Sequence, residues 1–361
     1  MSKRILILFP HEWVAYSPTI LNLVDLLSLR NSVGVIAFDN EKYGSESLDP
    51  GVYKLIRLPV WMRAILTVTG TYNAFKALLL LKAMRSVEAD VVIGVDSIGF
   101  YVAQKRFGSA HLLSLEIARD WFQRNVLVSA IQSIAIQGYE RLDYLFPNGA
   151  PAEVFYLPNS PILAETISPR VGARNGRIIF LGNVIPSHGI FLCIDAIRKL
   201  PDISLTIKGA MRPSMRRGLE KHYRELFEER RLFIDETYTP QNEIVRYIEG
   251  FEIGFCFYDF RFIAAGDVNY VTSPSGKMYN YFAAGVPVIG SDISGLKDIR
   301  SFGAGILLND VSVAAIAHAI RELRGNYAAY REGCLRAAAS LDFARCSIRY
   351  LRFLLDEGEG Q

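Results

Sequence analysis

Residues 273–290 read Ser-Pro-Ser-Gly-Lys-Met-Tyr-Asn-Tyr-Phe-Ala-Ala-Gly-Val-Pro-Val-Ile-Gly, and this stretch restricts the fold more than any other. Turn residues open it, a short helix-forming run follows, Gly285 stops the helix, and 286–289 is an apolar run of strand type. A helix N-terminus presents unpaired backbone N–H groups and a partial positive charge, so the turn at Ser275 and Gly276 suits a phosphate. Lys277 stands in the first turn, where its ammonium adds to that field. Lys277, Asn280 and Tyr281 are spaced i, i+3, i+4 and share one face. Together they offer a cation for phosphate oxygens and an amide for ribose hydroxyls. A surface helix packed on a sheet, with Lys277 merely solvated, explains the same residues, and both readings stay open.

The chain has 361 residues, a natural length for two domains. Half of them are hydrophobic and 21% are charged, which describes a globular chain without a disordered tract. A net charge of +3 gives no indication of a nucleic-acid partner. Cys193, Cys256, Cys334 and Cys346 have neither metal-ligand spacing nor the density of a disulfide framework. Buried thiols are the default for them, which suits a reducing cytosol. The apolar run at 4–9 is too short for a signal peptide and reads as a first strand. No apolar run approaches the ~18 residues of a membrane span.

In order along the chain, 4–9 is a continuous apolar run of the kind buried in a parallel sheet, 19–29 is helical by its apolar spacing, and 33–38 is the next strand. This opening is the doubly wound α/β pattern. The loop 10–18 has no G-x-G-x-x-G run, which argues against a dinucleotide there. Its polar tip, His11 and Glu12, falls at the carboxyl end of the first strand, where such sheets bind ligands. Residues 90–96 and 111–116 read as strands ending in the carboxylates Asp96 and Glu116. In a parallel sheet both acids lie on the same edge as His11 and can do acid–base work or hold sugar hydroxyls. Strand-end acids also cap helices, and exposed loop polarity explains His11 equally well. Arg119 and Asp120 read as a local pair.

Residues 60–85 are apolar with basic residues at Arg63, Lys76, Lys82 and Arg85. A basic amphipathic helix of this kind can lie on an anionic membrane surface. A crossover helix buried against the sheet, with its charges snorkelling outward, is the other reading. Proline, turn residues and a loss of periodicity place the domain boundary near 158–175. The α/β pattern then restarts, with strands at 177–181, 203–208, 232–234 and 251–258, and a charged helix at 213–229. Three helices close the chain before a frayed tail at 357–361. The expected domains are 1–160 with the last helix and tail (343–361), and 161–342.

Two successive Rossmann-like halves followed by the 273–290 unit resemble glycosyltransferases of the GT-B architecture, in particular the large family 4 group of nucleotide-sugar enzymes. The likeness spans nearly the whole chain, and its specific parts lie mainly in the second half. Residues 180–189, Phe-Leu-Gly-Asn-Val-Ile-Pro-Ser-His-Gly, keep the frame of the family's F-x-G-R…K-G segment, with Asn183 and His188 in place of its two cations. Neither replacement carries a dependable charge at neutral pH. The 273–290 stretch resembles the subgroup pattern P-x-K-x-x-E-Y-x-A-x-G-x-P-V-I, with Lys277 and Tyr281 matching and Asn280 replacing the ribose-binding glutamate. Tyr238-Thr-Pro240 resembles the segment lining the base pocket.

The resemblance implies two Rossmann-like domains facing a cleft, the first binding acceptor and the second binding donor. It implies donor contacts at Gly182, Asn183, His188, Tyr238, Ser275, Gly276, Lys277, Asn280 and Tyr281, and catalytic candidates at Asp96, Glu116 and His11. The implied reaction is hexosyl transfer from a nucleotide diphosphate sugar to a glycan or lipid-linked glycan. It uses no cofactor and no metal, since no D-x-D run is present, and it retains anomeric configuration. Polysaccharide biosynthesis is what the same likeness implies; the cysteine usage suits the cytoplasm, and contact of 60–85 with the inner membrane face is the expectation if its basic amphipathic reading holds. The alternatives are a nucleotide-sugar epimerase of the same architecture and a degenerate module that binds a partner without catalysis.

Overall fold

The computed structural model of the chain describes residues 2–39, 47–118, 120–163 and 174–357. Arg119 of the Arg119–Asp120 pair, most of the 161–175 boundary run and the end of the tail (358–361) lie outside these. The chain divides into two compact units, Met1–Asn159 with Phe343–Gln361, and Ser160–Asp342.

The first unit is a seven-stranded parallel sheet. Its strands are β1 (Arg4–Phe9), β2 (Ser32–Asp39), β3 (Tyr53–Arg57), β4 (Val91–Val95), β5 (Ala110–Ser114), β6 (Ile131–Ile136) and β7 (Val154–Tyr156). They stand in the order β3-β2-β1-β4-β5-β6-β7. The helices are α1 (Pro18–Ser28), α2 (Val60–Val68), α3 (Tyr72–Ala83), α4 (Asp96–Phe107), α5 (Trp121–Arg124) and α6 (Leu142–Leu145). Helices cover the sheet, so every residue of β4 and β5 is buried and their sequences are almost uniformly apolar. The strand β3 was not expected. It lies at the sheet edge and buries only Tyr53, so Lys54 and Arg57 break its apolar pattern.

The second unit is a six-stranded parallel sheet in the order β10-β9-β8-β11-β12-β13. Here β8 is Arg177–Leu181, β9 Ser204–Lys208, β10 Leu232–Asp235, β11 Ile253–Cys256, β12 Val288–Ser291 and β13 Gly305–Leu308. Its helices are α7 (Ile190–Arg198), α8 (Pro213–His222), α9 (Arg224–Glu228), α10 (Gln241–Ile248), α11 (Val268–Thr272), α12 (Gly276–Ala283), α13 (Lys297–Ser301), α14 (Val313–Gly325) and α15 (Tyr327–Ser340). Its core includes one apolar cluster containing α7 and α14 residues and another containing α10, α12 and α15 residues. The charged helix expected at 213–229 is broken at Tyr223, whose ring is buried with the Arg198 guanidinium 5.0 Å from its centre. The last helix, α16 (Phe343–Leu355), belongs to the first unit, where Tyr350 and Phe353 pack on Phe155 of β7.

Each sheet reverses its winding direction once: between β1 and β4 in the first, and between β8 and β11 in the second. At such a switch point the loops leave in opposite directions and open a crevice at the strands' carboxyl ends.

The charges of 60–85 depart from the outward-snorkelling arrangement. Arg63 turns inward, donating to the Leu58 carbonyl (2.9 Å), the Asp39 carbonyl (2.9 Å) and the Glu12 carboxylate (3.1 Å). Lys76 is buried, its ammonium 4.5 Å from the Tyr72 ring centre and 5.5 Å from that of Phe38, and burial lowers its pKa. Lys82 and Arg85 remain exposed. Among the described residues no helix is long and apolar enough to cross a membrane.

Candidate functional site

In the second unit the switch point brings the end of β8 beside the end of β11. The chain leaves β8 through Gly182, whose carbonyl lies against Gly209 so closely that a Cβ at 209 would overlap it. Gly209 has φ +150°, so glycine is required there on both counts. The helix α12 opens at Ser275 without a side-chain cap, because Ser275 is hydrogen-bonded to the Cys256 thiol instead. Its first turn carries Gly276 and Lys277.

Lys277 folds back over the sheet end. Its Nζ is covered and has no hydrogen-bond partner among the described residues. It lies 5.1 Å from the centre of the Phe180 ring and 5.9 Å from that of Tyr258. Burial holds the ammonium below its ordinary pKa, against a smaller opposite influence of the neighbouring Cys256 and Cys193. Those two thiols are pushed up by burial and stay protonated. Among the described residues the cation therefore has aromatic faces beside it and no anion, although a covered unpaired charge costs several kcal/mol.

His188 lies within the electrostatic reach of Lys277. Its Nδ1 donates to the Asn183 carbonyl (2.8 Å), and its ring meets Tyr258 edge-on at 5.6 Å and Tyr270 at 6.4 Å. Burial first, and the Lys277 charge second, push its pKa down to about 4. At neutral pH it presents an uncharged Nε2 lone pair, so it brings no second cation. Asn183 is exposed.

Asn280 and Tyr281 follow different courses. The Asn280 side chain is buried and accepts from Gln241 of α10 (3.2 Å). Tyr281 is fully buried; its hydroxyl accepts from the Leu181 N–H (3.1 Å) and reaches the carbonyls of Phe255 (3.3 Å) and Ile179 (3.4 Å). Its ring lies flat on Gly254, where a Cβ would come within 2.6 Å of it. Tyr281 thus ties α12 to β8 and β11 and offers no polar atom to a ligand, contrary to its sequence assignment. Tyr238 is partly exposed in the loop after β10. Phe180, Tyr258, Tyr270 and Gln241 were not anticipated; their signal was only the position of their loops and strand ends.

In the first unit the switch point falls between β1 and β4, and it unites two of the three candidates there. His11, two residues beyond β1, places Nε2 2.6 Å from Asp96 Oδ2. The other oxygen of Asp96 accepts the backbone N–H groups of Leu115 (2.6 Å) and Glu116 (2.9 Å). Facing a carboxylate oxygen, Nε2 is the donor, and in the neutral ring that tautomer leaves the lone pair on Nδ1. Nδ1 has no hydrogen-bond partner among the described residues. The ring stacks on Trp13 (5.0 Å) and meets Phe9 edge-on (5.2 Å). Asp96 is 5% exposed and holds φ at +51°, a left-handed conformation rare for a residue with a side chain. Glu116 is half-buried beyond β5. The buried Arg141 donates to the Leu115 carbonyl (2.8 Å), and the charges of Glu116 and Asp96 act on it.

No family model matches the chain, and no curated protein sequence matches it. Solved structures match over its full length. A glycosyltransferase from Rickettsia africae is 12% identical, with 100% of each chain covered and a TM-score of 0.69. Anabaena HepE, solved in complex with UDP, is 11% identical, with 98% of this chain and 100% of that chain covered and a TM-score of 0.68. A UDP-N-acetylglucosamine 2-epimerase assignment from Listeria monocytogenes is 13% identical, with 99% and 98% covered and a TM-score of 0.67. The chain has the GT-B fold: two Rossmann-like α/β units that these structures share.

Proposed function

We propose that this chain is a glycosyltransferase that moves a sugar, of the hexose class, from a nucleotide diphosphate sugar to a hydroxyl of a glycan or lipid-linked glycan. The observation that carries the reading is Lys277: a covered ammonium with no anionic partner among the described residues, at the head of α12 and the switch point of the second sheet. A diphosphate supplies the missing counter-charge, and the open first turn of α12 supplies backbone N–H groups to its oxygens. As the bond to the sugar breaks, charge grows on the leaving diphosphate, and these donors stabilise it without a metal. HepE was solved with UDP and with UDP-glucose, and the shared fold supports the same class of donor here.

In the first unit, His11 is the general base of this proposal. Nδ1 takes the proton of the acceptor hydroxyl while Asp96 holds the ring and stabilises the imidazolium that forms. A dedicated base favours inversion at the anomeric carbon rather than the retention implied by the family resemblance. Glu116 is assigned to acceptor hydroxyls, and Tyr238 to the base of the nucleotide. The buried free thiols support work in the cytoplasm, in polysaccharide or glycoconjugate synthesis.

The test is a panel of nucleotide diphosphate sugars, scored by thermal shift and then by transfer, with the anomeric configuration of the product read by NMR. Binding of a nucleotide sugar followed by inverted product supports the reading; binding of none overturns it. An epimerase is the second reading, because Asp96 and Glu116 close neighbouring strands and the fold is shared with an epimerase assignment. Its signature is a new sugar nucleotide formed with no acceptor present.

A further inference from the structure

The helix α2 is turned the wrong way round for a soluble surface. An amphipathic helix normally hides its apolar stripe against the core and shows its charges to water. Here the sole charged residue of the helix, Arg63, points inward and is spent on Leu58, Asp39 and Glu12. The opposite stripe is Val60, Trp61, Ile65 and Val68, which are 79%, 62%, 55% and 88% exposed, and no residue of α2 is buried. The stripe is continuous, because positions i, i+1, i+5 and i+8 fall on one side of a helix.

The charge pattern selects the occupant. A stripe with no outward cation has nothing to attract acidic headgroups or an acidic peptide. What fits it is uncharged apolar material, and Trp61 is the side chain suited to the boundary between headgroups and acyl chains. Its location is also informative. The helix begins three residues after β3 ends, on the same sheet edge as His11. Glu12, next to His11, accepts hydrogen bonds from Arg63 of α2 and Tyr72 of α3. The inner side of α2 is thus tied, through Arg63, to the loop that carries His11. We infer that the outward stripe of α2 is a docking surface for an uncharged lipid bilayer, held on its inner side by the Arg63–Glu12 pair. This stands apart from the transferase reading, because lipid binding requires no sugar donor.

The experiment is flotation of the full chain with vesicles of phosphatidylcholine alone and of phosphatidylcholine mixed with phosphatidylglycerol, at low and high salt. The protein floats with both, to a similar extent, and salt does not release it. The double substitution Trp61→Ser with Ile65→Ser lowers the bound fraction about tenfold or more, without loss of the folded circular-dichroism spectrum. Hydrogen exchange with phosphatidylcholine vesicles present protects the amides of 60–69. Flotation only with the anionic vesicles and released by salt overturns the inference in favour of Lys82 and Arg85. So does protection elsewhere, or absence of flotation with a concentration-dependent dimer that the double substitution abolishes.

Discussion

The Lys277 ammonium lies 5.1 Å from the centre of the Phe180 ring and meets no hydrogen-bond acceptor among the described residues. Two aromatic faces return ~2 kcal/mol each to a desolvated cation and leave its hydrogen-bond donors unsatisfied, which a carboxylate would not. A side chain kept in that state costs stability, which makes its role separable from packing. Replacing it by the similarly sized, uncharged Lys277→Met is therefore expected to act in two directions. Affinity for a nucleoside diphosphate falls by about 10–100-fold, the worth of a charge-assisted bond of ~1.5–3 kcal/mol. The melting temperature holds or rises. Calorimetric titration with UDP and GDP, beside a thermal melt, checks both. A lower melting temperature with unchanged affinity makes Lys277 a packing residue and removes the phosphate reading.

The His11–Asp96 pair predicts a different signature. Asp96→Asn preserves the size of the side chain and an oxygen for the Leu115 and Glu116 N–H groups. It turns an NH2 toward His11 Nε2, which inverts the tautomer and moves the lone pair off Nδ1. Transfer is expected to slow by about 10²–10⁴-fold with donor affinity unchanged. His11→Gln should fall in the same range. Steady-state kinetics beside donor binding test this, and a near-normal turnover for Asp96→Asn would exclude His11 as the base.

Much of the fold was legible because burial on both faces leaves a simple trace. Strands β1, β4 and β8 are continuous apolar runs, and the sequence marks them within a residue or two. The edge strand β3 buries one residue and carries two charges, so no such trace exists. The sites were legible only in part. His11 and Asp96 are 85 positions apart, and their meeting depends on β1 lying beside β4, which strand order and not local pattern decides. Lys277 and Tyr281 were correctly placed on one face of a helix, but that face is shared between the sheet and its open end. Gly254 gives Tyr281 the room to enter the sheet side, and that cue is visible only once β11 is known to face α12. The inward turn of Arg63 was equally hidden, since Glu12 comes from the loop after β1 and Asp39 from the end of β2.

His111 makes stability depend on pH in a defined window. It sits in β5, its Nδ1 2.8 Å from Ser133 Oγ and its ring edge-on to Phe353, and burial lowers its pKa to about 4. In the unfolded chain the same group titrates near ~6.5. Between these values the unfolded chain binds the proton and the folded chain does not. The stabilisation is thus complete above about pH 6.5 and is lost as the pH falls toward 4. Going from pH 7 to 5 should cost about 2 kcal/mol from His111, with His188, lowered to about 4 as well, acting in the same direction. Urea midpoints at the two pH values measure the loss, and His111→Gln should reduce it. A midpoint indifferent to pH in that window contradicts the buried neutral imidazole.

The second unit also holds a charge that it cannot leave unpaired. Glu252, at the entry to β11, is fully buried; one oxygen accepts the Gly176 N–H at 2.7 Å and the other faces Arg324 Nε at 3.0 Å. Arg324 comes from the last turn of α14 and pairs with Asp202 as well. The pair joins the start of β11 to a helix whose buried face is apolar. Removing only the cation strands a carboxylate in the interior, so Arg324→Met should destabilise the unit by about 3–5 kcal/mol. Neutralising both partners, with Arg324→Met and Glu252→Gln, keeps an acceptor for Gly176 and leaves no charge, so much of the loss should return. Denaturation midpoints of the single and double variants decide it: equal loss in both would mean that the Arg324 stem, and not its charge, is what the site requires.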